Sequence, residues 1–263
     1  MGHDHEGQRV SRRRLITGIS SLGLGAVLSA PGARAGAASR TATGDLASLL
    51  AGSRVCKLTP TATQGPYYFD ADKIRSDIRE NKPGVRLRMG IRVQDSETCS
   101  AMGNAVVEIW HCDAAGVYSG AEKESKDDAA SGPPPGGFTD VAFMSDMKPS
   151  DDYRYLRGAQ VTNADGIVEF TTIWPGWYPG RTVHIHTMVH FSDRRVLNTQ
   201  IMFDDALNAK VLATPPYAAH TGRDTFNSAD NIFRDGMMLQ VIEDGDGYLG
   251  TIILSADSDT DGG

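Results

Sequence analysis

The chain has 263 residues, 40% of them hydrophobic, and a formal net charge of −7 at pH 7. That length suits one substantial domain. The acidic balance argues against nucleic acid or an anionic membrane surface as a partner.

Ser11-Arg12-Arg13-Arg14-Leu15-Ile16 is a twin-arginine signal start, followed by an apolar run from Leu15 to Ala30 and a small-x-small cleavage site at Ala33-Arg34-Ala35. Residues 1–35 are therefore expected to be a signal peptide. It would be removed on export through the Tat machinery, leaving the protein periplasmic or extracellular. The apolar run is short for a bilayer and is broken by Gly18, Gly23 and Gly25, so no stable membrane anchor is expected. Cleavage takes away five Arg and two acids, a net of +3, which moves the charge from −7 to −10. Cys56, Cys99 and Cys112 would then sit in an oxidising compartment. Cys56–Cys99 is the favoured disulfide and Cys56–Cys112 stays open. Cys99 and Cys112 are expected at opposite ends of one strand, too far apart to bridge.

Residues 36–55 are rich in Ala, Gly, Ser and Thr and read as a linker, with room for a short helix through Asp45–Leu50. Residues 56–257 read as one β domain. Val85, Leu87, Met89, Ile91 and Val93 alternate with polar or small residues, which predicts a half-buried strand. Ala105–Cys112 predicts a second strand, expected antiparallel to the first. Residues 121–152 contain three consecutive prolines (Pro133–Pro135) and read as a long surface loop. Further strands are expected at Ile167–Ile173, Thr182–Phe191, Val196–Phe203, Met237–Glu243 and Tyr248–Ser255. The last two are joined by a tight turn at Asp244-Gly245-Asp246-Gly247, favoured over a calcium loop. Residues 258–263 read as a flexible tail. Many short strands without a long helical period imply an all-β sandwich of mixed or antiparallel sheets with long active-site loops.

The stretch Trp174–His190, WPGWYPGRTVHIHTMVH, is the densest in chemistry. Along a strand, side chains alternate faces, so His184 and His186 point the same way with Cα atoms roughly 6.5–7 Å apart. Two imidazoles at that spacing can converge on one ion, and Tyr178 is the nearest further donor. As a phenolate, tyrosine is a hard anion that suits Fe(III) better than zinc. His190 shares the face but lies roughly 13 Å along the strand, too far to join them. His111 reads as structural. Tyr67 and Tyr68 read equally as core or as substrate contacts. Trp174 and Trp177 read as turn packing at least as well as pocket lining. Asp77 and Arg79 read as a surface pair.

The segments LTPTATQGPYY (58–68), AVVEIWHCDAAGVYSG (105–120), LRGAQVTNADGIVEFTTIWPGWYPGRTVHIH (156–186) and NTQIMF (198–203) together resemble the intradiol ring-cleavage dioxygenases. This family includes the catechol, hydroxyquinol and protocatechuate dioxygenases, and the chain is most similar to its exported, single-domain members. The resemblance implies one non-haem Fe(III) held by Tyr118, Tyr178, His184 and His186. It implies Arg181 and Gln200 as catalytic groups, with Tyr178 doubling as a base. The implied reaction takes O2 as co-substrate and opens a small aromatic diol between its hydroxyl-bearing carbons to a muconate-type dicarboxylate. The twin-arginine route carries folded proteins, which suits a chain that acquires metal before export. In one respect the chain departs from the protocatechuate enzymes. Only Pro179 and Gly180 separate Tyr178 from Arg181, where those enzymes have a longer loop.

Two other readings compete. A zinc hydrolase could use His184 and His186, but the chain has no His-Glu-x-x-His and no suitable carboxylate flanking them. An exported β-sandwich module that binds carbohydrate or another ligand, without catalysis, could use Trp174 and Trp177 as a stacking platform.

Overall fold

The computed structural model describes Leu46, Leu49, Leu50, residues 56–131 and residues 146–260. The expected signal peptide, most of the 36–55 linker, the middle of the 121–152 loop and the last three residues of the expected tail lie outside the described residues.

In chain order the elements are β1 (Arg86–Asp95), β2 (Val106–Trp110), α1 (Glu122–Ser131), β3 (Arg157–Val161), β4 (Ile167–Ile173), β5 (His184–Phe191), β6 (Arg194–Met202), α2 (Asp205–Leu212), β7 (Gln240–Asp244) and β8 (Gly247–Ala256). They form two four-stranded sheets, ordered β4-β1-β8-β7 and β3-β2-β5-β6. The first is mixed, because β1 and β8 run parallel, and the second is antiparallel throughout. This is the expected β-sandwich.

The alternation that marks β1 produces the core directly. Leu87, Met89, Ile91 and Val93 are buried, and the arginines between them are partly exposed. They pack with Val107 and Ile109 of β2, Val183, Ile185 and Val189 on and beside β5, and Leu197 and Ile201 of β6. On the outer face of the first sheet, Leu46 and Leu50 are buried against Leu249, so the end of the expected linker is docked on the sandwich. Leu46 sits directly over Gly90, where a side chain would collide with it.

Three features differ from the sequence reading. β2 is not the antiparallel partner of β1; it lies in the opposite sheet, between β3 and β5. The 121–152 loop begins with a helix, α1. β3 and α2 were not expected; α2 is capped by Asp204, whose side chain accepts from the backbone N–H groups of Ala206 and Leu207 at 2.9 Å. The 244–247 segment is the expected hairpin turn, and its carboxylates pair with Arg86 and Arg88.

Cys56 and Cys99 are joined as a disulfide, with Cα atoms 5.1 Å apart and a separation of 43 positions in sequence. Cys112 is free and buried. The bridge anchors an extended arm that continues along β8 and β6 through Thr59 N–H to Ser255 O (2.9 Å), Thr199 Oγ1 to Pro60 O (2.7 Å) and Ala62 N–H to Asn198 O (2.8 Å). In the chain-entropy account a loop of this length contributes about 4 kcal/mol. Cys56→Ser is therefore expected to lower unfolding stability by about 4 kcal/mol, read by denaturant titration.

His111 ties the two sheets together. Its Nδ1–H donates to Cys112 O (2.8 Å), and its Nε2 accepts from the Thr172 hydroxyl on β4 (2.7 Å). Burial lowers its pKa from the ordinary 6.5 to about 4. The fold thus requires the neutral ring, while the unfolded chain takes up a proton first. Stability is fully present above pH 6.5 and is lost as pH falls toward 4, by about 3 kcal/mol. His111→Gln should flatten the stability slope across that window in urea titrations.

Candidate metal centre

The site is built on the face of the second sheet that points away from the main core. Register places His186 opposite Trp110 on one side and Gln200 on the other. His184 and His186 are each 2% exposed and point the same way, as period-two alternation requires. Their Nε2 atoms lie 3.2 Å apart, and His184 Nε2 lies 3.1 Å from Tyr178 Oη. Tyr118 enters from the loop after β2, its ring 5.9 Å from that of Tyr178 and 6.1 Å from that of His186. The four expected ligands therefore converge. Among the described residues no group of three or more His, Cys, Asp or Glu is placed to hold a metal. The cluster reaches four donors only through its two phenols.

Each side chain is held by its surroundings. His184 Nδ1–H donates to Thr182 O at 2.6 Å, which leaves Nε2 with its lone pair facing the cluster. His186 is stacked on Trp110, with ring centroids 5.0 Å apart and planes 8° from parallel. Tyr67 packs 4.9 Å from Tyr118, and Tyr68 donates to Glu108 Oε2 at 3.1 Å. Both tyrosines thus lie in the site's own apolar cluster rather than in the main core. His190 lies further along β5, where Glu108 approaches its Nε2 at 3.8 Å.

The Pro179-Gly180 spacer is a tight turn. Arg181 N–H donates to Tyr178 O (3.3 Å), and Gly180 takes a φ of 81°. Proline followed by a positive-φ glycine is the pattern of a type II turn. It sets Tyr178 and Arg181 face to face across an isolated bridge. Arg181 is buried; its Nε donates to Asp230 Oδ2 at 2.9 Å, and its Nη2 donates to Gln200 Oε1. Gln200 Nε2 reaches Thr63 O at 3.4 Å, so the disulfide-anchored arm also touches the site.

Burial governs the electrostatics. It drives His184 and His186 well below the ordinary imidazole value, with the neighbouring Arg181 charge adding to the effect. Both rings are therefore neutral, as metal binding needs. Burial also raises Tyr118 well above a normal phenol and pushes Tyr178 up to about 12, while the Arg181 charge works the other way on both. Tyr118 Oη is buried and makes no well-formed hydrogen bond among the described residues; it meets only the Tyr178 hydroxyl, in a loose contact. A buried hydroxyl without a well-formed hydrogen bond costs about 1–3 kcal/mol. A cation that converts it to a bound phenolate would remove that cost. The donor chemistry and this poorly satisfied oxygen both fit a hard, highly charged metal ion.

Sequence reasoning did not find Asp230, Trp110 or Arg157. Arg157 is buried behind Tyr118, donates from Nε and Nη2 to Ser119 O, and stacks over Phe69 with its guanidinium 4.1 Å from the ring centroid. Trp174 and Trp177 are both buried. Their indole N–H groups donate to Asn208 Oδ1 (3.0 Å) and His220 O (3.2 Å), so neither ring offers a face for sugar stacking.

No protein-family model matches the chain, and no curated protein does. Solved structures do. An intradiol ring-cleavage dioxygenase from Tetranychus urticae is 33% identical, with 77% of this chain and 96% of that one covered and a TM-score of 0.68. A second dioxygenase structure is 32% identical over 77% and 95% of the two chains, also with a TM-score of 0.68. The dioxygenase domain of a carbohydrate-binding fusion from Streptomyces sp. SirexAA-E is 26% identical over 76% and 99%, with a TM-score of 0.53. The chain belongs to the intradiol ring-cleavage dioxygenase family. It is an oxidoreductase of the class that incorporates two oxygen atoms into its substrate.

Proposed function

We propose that the protein is an exported non-haem Fe(III) enzyme that uses O2 to cleave a catechol-type diol between its hydroxyl-bearing carbons. Tyr118, Tyr178, His184 and His186 would hold the iron. The observation that carries this reading is the convergence of two neutral imidazoles with two buried phenols, one of which has only a loose contact with the other phenol to satisfy its hydroxyl among the described residues. Bound there, Fe(III) would supply Lewis acidity toward the diol and a route for its reaction with O2.

The chain's own residues supply the rest. Tyr178 is 8% exposed and Tyr118 is fully buried, so Tyr178 is the phenol a substrate hydroxyl can approach. Its Oη, a phenolate while it holds the iron, would accept one of the two protons that a chelating diol gives up. Arg181, fixed by Asp230 and Gln200, would stabilise the negative charge left on the ring without needing to reorganise. Gln200 acts chiefly through Arg181, since its Oε1 is already engaged there. Trp110, Tyr67 and Met188 would exclude water behind the ligands.

The test is a purified full chain assayed for bound iron, colour and oxygen uptake over catechol, hydroxyquinol, protocatechuate and substituted lignin-derived catechols. The expected result is a reddish protein with one iron per chain and a muconate-type product. A colourless protein that holds zinc, or no metal after growth in iron-replete medium, overturns the reading. Export rests on the Ser11–Ile16 signal pattern and is supported by the Cys56–Cys99 disulfide, which suits an oxidising compartment. Replacing Arg12, Arg13 and Arg14 together by Lys should keep the protein in the cytoplasm; an unchanged distribution between compartments would overturn the export assignment.

A further inference from the structure

We propose that Asp230 is the positioning residue of the site, holding Arg181 and His184 through one carboxylate. This deepens the reading above and rests on it.

The geometry is specific. Asp230 Oδ2 accepts both from Arg181 Nε (2.9 Å) and from the backbone N–H of Thr182 (2.8 Å). Its Oδ1 accepts from Ile232 N–H at 2.8 Å, so the loop beyond the Asn227–Ala229 turn also fixes the carboxylate. The Arg181 and Asp230 side chains are 5% and 1% exposed, which leaves almost no water to substitute for either partner. Through Thr182 the effect reaches the metal ligand. The Thr182 peptide is held at its N–H by Asp230, and its carbonyl accepts from His184 Nδ1 at 2.6 Å. The Thr182 hydroxyl donates to Asn227 Oδ1 at 2.6 Å, bracing the same residue from the same loop. One acidic side chain therefore sets the direction of the guanidinium and, one peptide further, the direction of an imidazole whose tautomer the Thr182 carbonyl fixes.

A carboxylate suits this place because it offers only acceptors. An amide of the same shape must aim an NH2 at one of the N–H groups now facing Asp230, or surrender one of their bonds. It also removes the negative charge that fixes Arg181. A charge-stabilising group that is free to swing loses most of its value, since misplacement by about 1 Å can cost about 100-fold in rate.

The experiment compares the full-chain iron protein with Asp230→Asn, Arg181→Lys and the double variant. Catechol turnover is measured aerobically. Binding of 4-nitrocatechol, whose dianion is coloured, is measured without oxygen. Asp230→Asn is expected to retain iron, to bind 4-nitrocatechol about tenfold more weakly, and to lower kcat about 100-fold. The double variant should be no slower than Arg181→Lys alone, because the two act as one unit. Multiplying penalties in the double variant, or unchanged binding and turnover in Asp230→Asn, overturn the proposal. A second measurement needs no Asp230 variant. In 1H–15N spectra of the metal-free protein, the Arg181 Nε–H signal, identified by its loss in Arg181→Lys, should be shifted downfield and protected from solvent exchange. An unprotected signal overturns the proposal. Failure of the iron reading is separately visible, as a wild-type protein without iron or oxygen uptake.

Discussion

Tyr118→Phe is expected to abolish iron retention while raising the melting temperature of the metal-free protein. The two effects share one cause. The Tyr118 hydroxyl is buried and has only a loose contact with the Tyr178 hydroxyl among the described residues, so the metal-free fold carries a poorly satisfied polar group. Removing it should relieve about 1 kcal/mol. The surrounding ring contacts, with Tyr67 at 4.9 Å and Tyr178 at 5.9 Å, survive the change because Phe keeps the ring. Iron affinity should fall by more than about 100-fold, since losses up to that size already follow from removing only the supporting partners of a ligand. Tyr178→Phe should behave oppositely. Its hydroxyl has a partner in His184 Nε2 at 3.1 Å, so its loss costs the metal-free fold about 1 kcal/mol. Iron should stay, held by Tyr118, His184 and His186, while the rate of catechol deprotonation on binding should drop. Metal analysis, thermal melts and stopped-flow binding read the three quantities separately. An unchanged substrate-binding rate in Tyr178→Phe would remove its role as base. A Tyr118→Phe protein that still holds iron would remove Tyr118 from the ligand set.

What the sequence revealed of this arrangement follows from the range over which each signal acts. The period-two alternation of β1 and β5 is local, and it correctly separates the core face from the His184–His186 face. Which strand pairs with which is not local. The alternation of Ala105–Cys112 looks the same beside β1 or beside β5, and its assignment to the wrong sheet follows from that. β3 hid for a different reason. Its first residue, Arg157, points inward, and the pairing with Ser119 and Phe69 that makes this tolerable comes from 38 and 88 residues earlier in the chain. α2 did leave a signal in Asp204, an N-cap before a short run of helix formers, but eight residues are too few to show a helical period. In the site itself, His184, His186 and Tyr178 were legible from spacing. Tyr118 stood out only as a second tyrosine just past the Ala105–Cys112 strand, and the family resemblance made it a ligand. Asp230 had no local mark, because Ser-Ala-Asp-Asn reads as an ordinary loop until the fold brings it against Arg181.

The second large effect is expected at Gly176, because the two tyrosine-bearing loops are interlocked backbone to backbone. Gly176 lies two residues before Tyr178, and Gly116 lies two before Tyr118. A β-carbon on Gly176 would strike Asp113 O and lie 2.9 Å from both the carbonyl carbon and oxygen of Ala114. A β-carbon on Gly116 would strike Trp177 O, at a residue whose φ of 82° already disfavours a side chain. Each glycine thus makes room for the other loop's main chain, and Gly176 N–H also donates to Asp113 O at 3.2 Å. All three atoms nearest the Gly176 β-carbon are main chain, so Gly176→Ala can be accommodated only by moving the loops apart. Overpacking of this kind costs about 1–3 kcal/mol. The separation would be passed directly to the two phenols, which must meet on one ion. Gly176→Ala should therefore lose iron affinity as well as stability. Gly222→Ala is the matched control. It sits at a φ of 93° with nothing within 4 Å of the new β-carbon, so it should cost about 1 kcal/mol of backbone strain and leave iron untouched. If the two variants lost stability alike and both kept iron, the glycines would be serving the turns alone, and the spacing of the phenols would have to be set elsewhere.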